Sequence, residues 1–228
     1  MTQPSNNVGI WDEIYQNGNF MAHPTEAFIR LALSFERRAA TSGGVGIILD
    51  HGCGSGVNSE FLLRRGHRIH CTDVSRQALT TLSQRLKYRD LPIPPMNPID
   101  PRRALRGQLP IYDQVVAWCS LLYNPPQRVQ QDIQELIQGL PSGGAFIAAM
   151  PTPNDILMTI TEPLADNHGR RVIQETSGQK GMIVTVPESL EQFISWCDGL
   201  EIIDQGQYSV TLGGKHSEHM VVYGEKKE

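Results

Sequence analysis

Short apolar segments alternate with amphipathic segments along the central part of the chain. Residues 45–50 form an apolar run of strand length, as expected of a fully buried strand. A glycine-rich turn follows, and then a helix over about residues 57–65 and a second strand over residues 67–72. The next helical pattern covers residues 76–88. A strand–helix–strand–helix order at this spacing predicts a parallel sheet with right-handed crossovers.

The second half of the chain continues this alternation. A proline-rich stretch, residues 91–110, holds one weakly marked strand near residues 93–99. A helix over residues 25–40 precedes the first strand. The predicted fold class is therefore α/β, a three-layer αβα sandwich around a seven-stranded, mostly parallel sheet with an antiparallel edge strand. The remaining predicted elements are strands at 112–119 and 145–150, helices at 126–138 and 188–198, and an antiparallel pair of strands at 200–208 and 219–224.

Composition and charge narrow the classes of function. The 228 residues include 20 lysines and arginines against 24 aspartates and glutamates, a net charge of −4. An acidic balance argues against a protein that binds duplex phosphates over a broad face. We expect no membrane span, because no apolar run approaches about 18 residues, and no signal peptide, because residues 1–20 contain neither a basic n-region nor an apolar h-region. The four cysteines form no CxxC pair, so we expect reduced thiols in a cytoplasmic protein and no metal site.

A glycine-rich turn joins the first predicted strand to its helix. It reads DHGCGSG over residues 50–56. Its three glycines allow a tight turn and the close approach of a ligand to the backbone. Asp73 stands at the end of the second predicted strand. A carboxylate at that place suits a ribose, because it can accept hydrogen bonds from both hydroxyl groups.

The spacing of this turn resembles motif I of the class I S-adenosylmethionine-dependent methyltransferases. The pattern is GxGxG with an acidic residue two positions before the first glycine, and Val57 stands where a dinucleotide-binding GxGxxG loop has its third glycine. The resemblance implies that the loop packs against the methionine part of S-adenosylmethionine, the expected cofactor. A purely structural turn is the alternative. The cofactor-binding residues expected in this part of the chain are Asp50, Gly52, Cys53, Gly54, Gly56, Asp73 and Val74.

Other segments fit the same family, so that the resemblance covers residues 45–150. The segments 112–118 and 140–146 resemble its fourth strand and the turn into its fifth strand. Asp100 resembles the acidic residue that accepts a hydrogen bond from the adenine amino group, and a turn aspartate between prolines is the alternative. The further residues expected to bind the cofactor are Asp100, Pro101 and Trp118.

The flanking segments fit the family more loosely. Trp11 and Tyr15 lie about one helical turn apart, and short family members carry a similar Trp-x-x-x-Tyr segment that folds over the cofactor. We expect residues 1–23 to be a cap arm whose rings face the sulfonium cation; rings that only fasten the arm are the alternative. Residues 151–187 follow the fifth strand and are expected to be an irregular insertion that covers the substrate, with a solvated loop as the alternative.

The chain is accordingly interpreted as a single methyltransferase domain over residues 1–228, with its cofactor-binding core at residues 45–150. We predict transfer of a methyl group to an oxygen or nitrogen atom of a small-molecule acceptor, with no nucleic-acid or membrane partner and with a homodimer as one form of assembly. Two alternatives stay open. One is a non-catalytic S-adenosylmethionine-binding subunit or sensor; the other is an NAD-dependent oxidoreductase, which Val57 counts against. No residue is assigned to catalysis.

Overall fold

The computed structural model describes residues 7–18, 21–41, 46–100, 103–165, 169–174 and 178–228. The α-helices within these ranges are α1 (Asn7–Gln16), α2 (Glu26–Thr41), α3 (Val57–Arg64), α4 (Arg76–Tyr88), α5 (Pro126–Gly139) and α6 (Leu190–Trp196). The strands are β1 (Ile47–His51), β2 (Arg68–Asp73), β3 (Met96–Pro98), β4 (Gln114–Trp118), β5 (Ala145–Pro151), β6 (Thr161–Pro163), β7 (Arg170–Val172), β8 (Ile183–Val184), β9 (Leu200–Leu212) and β10 (Lys215–Lys226).

A seven-stranded sheet organises the fold, with the strand order β3-β2-β1-β4-β5-β10-β9. The strands β1 to β5 run parallel to their neighbours. In contrast, β10 pairs antiparallel with β5 and with the edge strand β9. The predicted fold class is confirmed, and the predicted antiparallel pair closes the edge of the sheet.

Two apolar cores cover the two faces of this sheet. One contains side chains of α2, α3 and α4, among them Phe28, Leu62 and Leu82. The other contains side chains of α5 and α6, among them Ile133 and Phe193. Helices on both faces bury β4 and β5 along their whole length, which explains their almost uninterrupted apolar sequences. Among the described residues, no helix combines the length and apolarity that a membrane span requires.

The sheet has its switch point between β1 and β4, because the chain adds strands on one side as far as β3 and then on the other. Ligands of open α/β sheets bind at the carboxyl ends of the strands near such a point. The glycine-rich turn follows β1 directly, and helix α1 lies over the same edge, where Ile14 is buried in one of the two cores.

The prediction of an irregular insertion over residues 151–187 was wrong. This segment contains a 3-10 helix, Ile156–Ile160, and a small antiparallel sheet of β6, β7 and β8. Strands of two or three residues are too short to show an alternating pattern in the sequence. The hairpin of β9 and β10 is also longer than predicted, since its strands extend to Leu212 and from Lys215.

We expect the substitution Phe28→Ala to lower the free energy of unfolding by about 3–5 kcal/mol, because truncation of a buried aromatic side chain leaves a cavity. Phe28 is fully buried, and its ring meets Trp118 and Phe61 edge-on at centroid distances of 5.2 and 5.9 Å. Urea unfolding followed by circular dichroism measures the effect. Ile111→Ala is the control, since Ile111 is 90% exposed and its truncation should change stability by at most ~0.5 kcal/mol. Equal losses in the two variants would contradict this account of the core.

Candidate functional site

A cavity of about 100 Å³ lies at the carboxyl edge of the sheet, beside the glycine-rich turn. The cavity is lined by five of the residues expected from the sequence. Other lining residues come from the ends of β1, β3 and β4 and from α5. The expected residues are Trp11, Tyr15, Gly52, Asp73 and Val74. The added residues are His51, Ile99, Leu105, Cys119, Ser120, Leu121, Tyr123, Asn124, Arg128 and Asp132.

Two positions of the glycine-rich turn, Gly52 and Gly54, have no room for a side chain. Gly52 and Gly54 have φ angles of 67° and 54°, in the left-handed region that favours glycine. A Cβ atom on Gly52 would lie 2.3 Å from the Cβ atom of Ser120, and one on Gly54 would lie 2.5 Å from the hydroxyl oxygen of Tyr15. The turn therefore brings its backbone into direct contact with neighbouring groups on the cavity wall.

Asp73 connects this turn to the start of α4. Its Oδ2 atom accepts a hydrogen bond from the Gly54 amide (2.9 Å), and its Oδ1 atom accepts one from the Ser75 amide (2.8 Å). The residue is only 7% exposed, and burial raises the pKa of its carboxyl group to about 6 although the amide donors act in the opposite direction. The carboxyl group is thus fixed in position while it lines the cavity.

Helix α1 closes the cavity from the N-terminal side. The Asn7 side chain donates a hydrogen bond to the carbonyl oxygen of Tyr123 (2.8 Å), and the Trp11 ring meets the Tyr123 ring edge-on at 4.7 Å. The Tyr15 hydroxyl reaches the glycine-rich turn. Burial raises the pKa of Tyr15 far above its ordinary value, so its hydroxyl group stays protonated.

The segment after β7 reaches the same place from the other side. The Gln179 side chain donates a hydrogen bond to the Tyr123 hydroxyl oxygen (3.1 Å). Ile14 of α1 approaches Gly178, since a Cβ atom on that glycine would lie 3.1 Å from its Cγ1 atom. The two flanking segments therefore meet over the cavity, with Tyr123 between them.

Comparison with known proteins agrees with this geometry. Residues 48–144 match a protein family described as "Methyltransferase domain", and this stretch contains the glycine-rich turn, Asp73 and the cavity residues of α5. The N-methyltransferase NodS of Bradyrhizobium japonicum, solved with S-adenosylhomocysteine, shares the fold with a TM-score of 0.61 and 17% identity, over 98% of this chain and 100% of that one. Residues 48–144 are thus similar to a methyltransferase domain, and the chain shares the fold of solved methyltransferases.

Two further proteins similar to this chain are named for acceptors that differ widely. The magnesium protoporphyrin IX methyltransferase of Synechocystis, also solved with S-adenosylhomocysteine, has a TM-score of 0.63 and 17% identity, over 98% of this chain and 95% of that one. The 18S rRNA (guanine(1575)-N(7))-methyltransferase of Saccharomyces cerevisiae is 34% identical over 113 residues. That alignment covers 47% of this chain and 41% of the yeast protein, so this chain matches less than half of that curated relative.

Four expected cofactor-binding residues of the glycine-rich turn lie outside the cavity lining: Asp50, Cys53, Gly54 and Gly56. Asp50 is buried and accepts a hydrogen bond from the Ser59 hydroxyl (2.5 Å), which ties β1 to α3. The Cys53 thiol is buried and points to its own turn. Gly56 caps α3, with Leu82 directly against it. In this structure Asp50, Cys53 and Gly56 pack against the adjoining elements and support the turn.

Trp118 and Asp100 also lie outside the cavity lining. The Trp118 ring packs on the α2 face of the sheet, 5.2 Å from the Phe28 ring and 6.2 Å from the Tyr208 ring. Successive residues of a strand point to opposite faces, so Cys119 reaches the cavity and Trp118 does not. The side chain of Asp100 is exposed, although the preceding Ile99 lines the cavity. Pro101 falls outside the described residues.

An ion pair on α5 between the half-buried Arg128 and the buried Asp132 is a feature of the site that was not predicted. Arg128 donates a hydrogen bond through Nε to Asp132 (2.6 Å), and both side chains line the cavity. Burial raises the pKa of Asp132 to about 6. Spacing of i and i+4 predicts that the two side chains meet on a helix, but it does not say which face of α5 points to the cavity.

His51 and Cys119 are further cavity residues with unusual surroundings. Burial lowers the pKa of His51 to about 4, so its imidazole is neutral at physiological pH. Cys119 directly follows β4 with a φ angle of 53°, a strained conformation for a residue with a side chain. Burial raises the pKa of its thiol to about 12. Sequence patterns carry no signal for either property.

The buried carboxyl group of Asp50 should make stability depend on pH in a definite direction. Burial raises its pKa to about 6 from 3.8, so between these values the folded state binds a proton that the unfolded state releases. The stability contributed by this proton is present at low pH and is lost as pH rises through about 6. We expect the stability difference between wild type and Asp50→Asn to shift by roughly 2 kcal/mol in favour of the variant between pH 4 and pH 7.

Urea unfolding of the two proteins at both pH values measures this shift. Taking the difference between proteins removes the other titrating groups from the comparison. A constant difference across the range would mean that Asp50 is ionised in the folded state with an ordinary pKa.

Proposed function

We propose that the protein is an S-adenosylmethionine-dependent methyltransferase whose cofactor binds in the cavity at the carboxyl edge of the sheet. The observation that carries this proposal is the position of Asp73, a buried carboxyl group at the end of β2 that lines the cavity and contacts the glycine-rich turn. Its carboxylate can accept further hydrogen bonds from ribose hydroxyls. Val74, Ile99 and Leu105 provide apolar lining that suits an adenine ring.

The residues present fit this cofactor, but the space between them is small. Gly52 and Gly54 allow a ligand to approach the backbone closely. The cavity of about 100 Å³ is well below the roughly 300 Å³ of the smallest pockets that enclose drug-sized ligands. Since the Tyr15 hydroxyl fills the space next to Gly54, α1 has to shift before the whole cofactor can enter.

When bound, the cofactor supplies a methyl group on a sulfonium centre, and the protein supplies position and surroundings. Trp11 and Tyr15 present aromatic rings to the cavity, which suits a cation. The closure by α1 and by the segment around Gln179 keeps water out and holds an acceptor close to the methyl group. Of the cavity groups, Cys119 keeps its proton at neutral pH, and His51 is neutral.

The acceptor that we propose is an oxygen or nitrogen atom of a small molecule. Two flanking segments meet over the cavity, which suits an acceptor that can be enclosed between them. The net charge of −4 also gives little general attraction for nucleic acid. An RNA acceptor is the second candidate, because a yeast rRNA methyltransferase is 34% identical over part of the chain. We place the protein in the cytoplasm, in keeping with four free cysteines.

Replacement of Asp73 should weaken cofactor binding. We expect Asp73→Asn to raise the Kd for S-adenosylhomocysteine by about 10- to 100-fold, the range expected for lost hydrogen bonds to a charged group. Isothermal titration calorimetry measures the Kd, and Asp204→Asn, an exposed change of equal charge on β9, is the control. The wild-type affinity should also decrease as pH falls below about 6, because protonation of Asp73 removes an acceptor. Equal affinities in both variants would contradict the assignment.

Transfer of a radiolabelled methyl group separates the candidate functions. We expect incorporation into at least one member of a panel of small phenols, amines and carboxylic acids, together with release of S-adenosylhomocysteine. Total rRNA and a deproteinised small-molecule extract are tested in parallel. Labelling of rRNA alone would favour the RNA acceptor, and cofactor binding without any transfer would favour a non-catalytic binding protein.

A further inference from the structure

Helix α1 is fastened to the start of α4 by one carboxylate. The Ser75 hydroxyl donates a hydrogen bond to Asp12 Oδ1 (2.5 Å), and the Gln77 amide donates a second one to the same oxygen (3.2 Å). Ser75 is the N-cap of α4 and also accepts a hydrogen bond from the Ala78 amide (3.0 Å). A negative charge next to the free amides of a helix N-terminus is stabilising, so this contact favours the docked position of α1.

The docked position of α1 puts Tyr15 where it obstructs the cavity. Tyr15 lies almost one turn after Asp12 on the same helix, and its hydroxyl oxygen stands 2.5 Å from the place of a Cβ atom on Gly54. Trp11, one residue before Asp12, packs against Tyr123 on the opposite wall. Both rings therefore enter the cavity as long as Asp12 holds the helix on α4.

Resting on the function proposed above, we infer that Asp12 is a latch that controls the entry of the cofactor. The contacts of Asp12 with Ser75 and Gln77, here called the Asp12 latch, hold α1 in the position that keeps the cavity too small for the cofactor. The cofactor enters when the latch opens, and α1 then covers it from a shifted position without the latch contacts. Entry requires the open state, so the latch slows association.

The Asp12 latch is also connected to the carboxylate proposed to hold the ribose. The Ser75 hydroxyl contacts Asp12, while the Ser75 amide donates to Asp73. Asp73 in turn accepts from Gly54, the glycine that Tyr15 contacts. One hydrogen-bonded chain thus joins the arm, the start of α4 and the glycine-rich turn, and a change at any of its members reaches the others.

The experiment compares two variants that remove one carboxylate from the same helix. In Asp12→Ala the latch is lost, whereas Glu13→Ala changes an exposed neighbouring side chain and serves as the matched control. Alanine favours helix more than either acidic residue, so α1 itself should persist in both variants. Stopped-flow tryptophan fluorescence with S-adenosylhomocysteine as the probe gives the association and dissociation rates. Hydrogen exchange of the α1 amides without ligand gives a readout that needs no cofactor.

We expect Asp12→Ala to raise the association rate by about tenfold or more and to leave the dissociation rate within about twofold, because hydrogen bonds to a charged group are lost from the closed, empty state only. The amides of α1 should exchange faster in this variant, and Glu13→Ala should match wild type within about twofold in all three measurements. Asp12→Asn, which retains an acceptor without the charge, should lie between them.

Unchanged rates in Asp12→Ala would overturn the latch, because they would exclude gating by Asp12. A change only in the dissociation rate would also overturn it, because that result describes an ordinary contact in the bound state. Binding of the probe by Asp12→Ala but not by wild type would support the latch in its strongest form. Failure of every variant to bind S-adenosylhomocysteine would overturn the proposed function and the latch together. Calorimetry separates this outcome from failure of the latch alone, because no variant would then give a binding signal.

Discussion

The site depends on two hydrogen bonds that the carboxyl group of Asp73 accepts from backbone amides. The Gly54 amide belongs to the turn after β1, and the Ser75 amide belongs to the start of α4, so one carboxyl group fixes the relative position of two βα connections. Parallel strands bring both connections to the same edge of the sheet. This carboxyl group and the Thr72 carbonyl oxygen, which accepts from the Gly52 amide, hold the turn, and glycine adopts its left-handed backbone without strain.

Burial of ionised carboxyl groups at this edge of the sheet destabilises the folded state, and other parts of the fold offset this loss. Burial raises the pKa values of Asp50, Asp73 and Asp132 each to about 6, so their ionised forms at neutral pH are disfavoured in the folded state. A structural purpose alone would be served as well by neutral hydrogen-bonding groups. Retaining ionised carboxyl groups in such surroundings is characteristic of binding sites, where perturbed pKa values cluster. The extensive apolar cores on both faces of the sheet supply the compensating stability.

The sequence predicts the centre of the fold well because its signals are local and repeated. Buried parallel strands are continuous apolar runs, and the turn after β1 needs glycines for steric reasons that are visible in the residue types. The same reasoning places Asp73 correctly at a strand end and in the cavity lining. Side-chain direction is harder to predict, because a one-residue difference in the end of β4 decides whether Trp118 or Cys119 reaches the cavity.

Contacts between residues that are distant in the sequence cannot be predicted from such local patterns. The pairing of Asp12 with Ser75 joins residues 63 positions apart, and nothing in either segment alone specifies it. Likewise the two- and three-residue strands after β5 exist only because they pair with one another. Their short sequences carry no periodicity, and a pattern-based prediction therefore describes the segment as irregular.

Tyr123 lies between the arm and the segment after β7. Asn7 and Trp11 contact it from the arm, and Gln179 contacts it from the other side, so the two segments are held at the same residue. A small acceptor of the kind proposed above can be enclosed when both segments cover the cavity, whereas a structured RNA would have to keep them apart throughout the reaction. The shared contact on Tyr123 is therefore an argument for that proposal which does not depend on net charge.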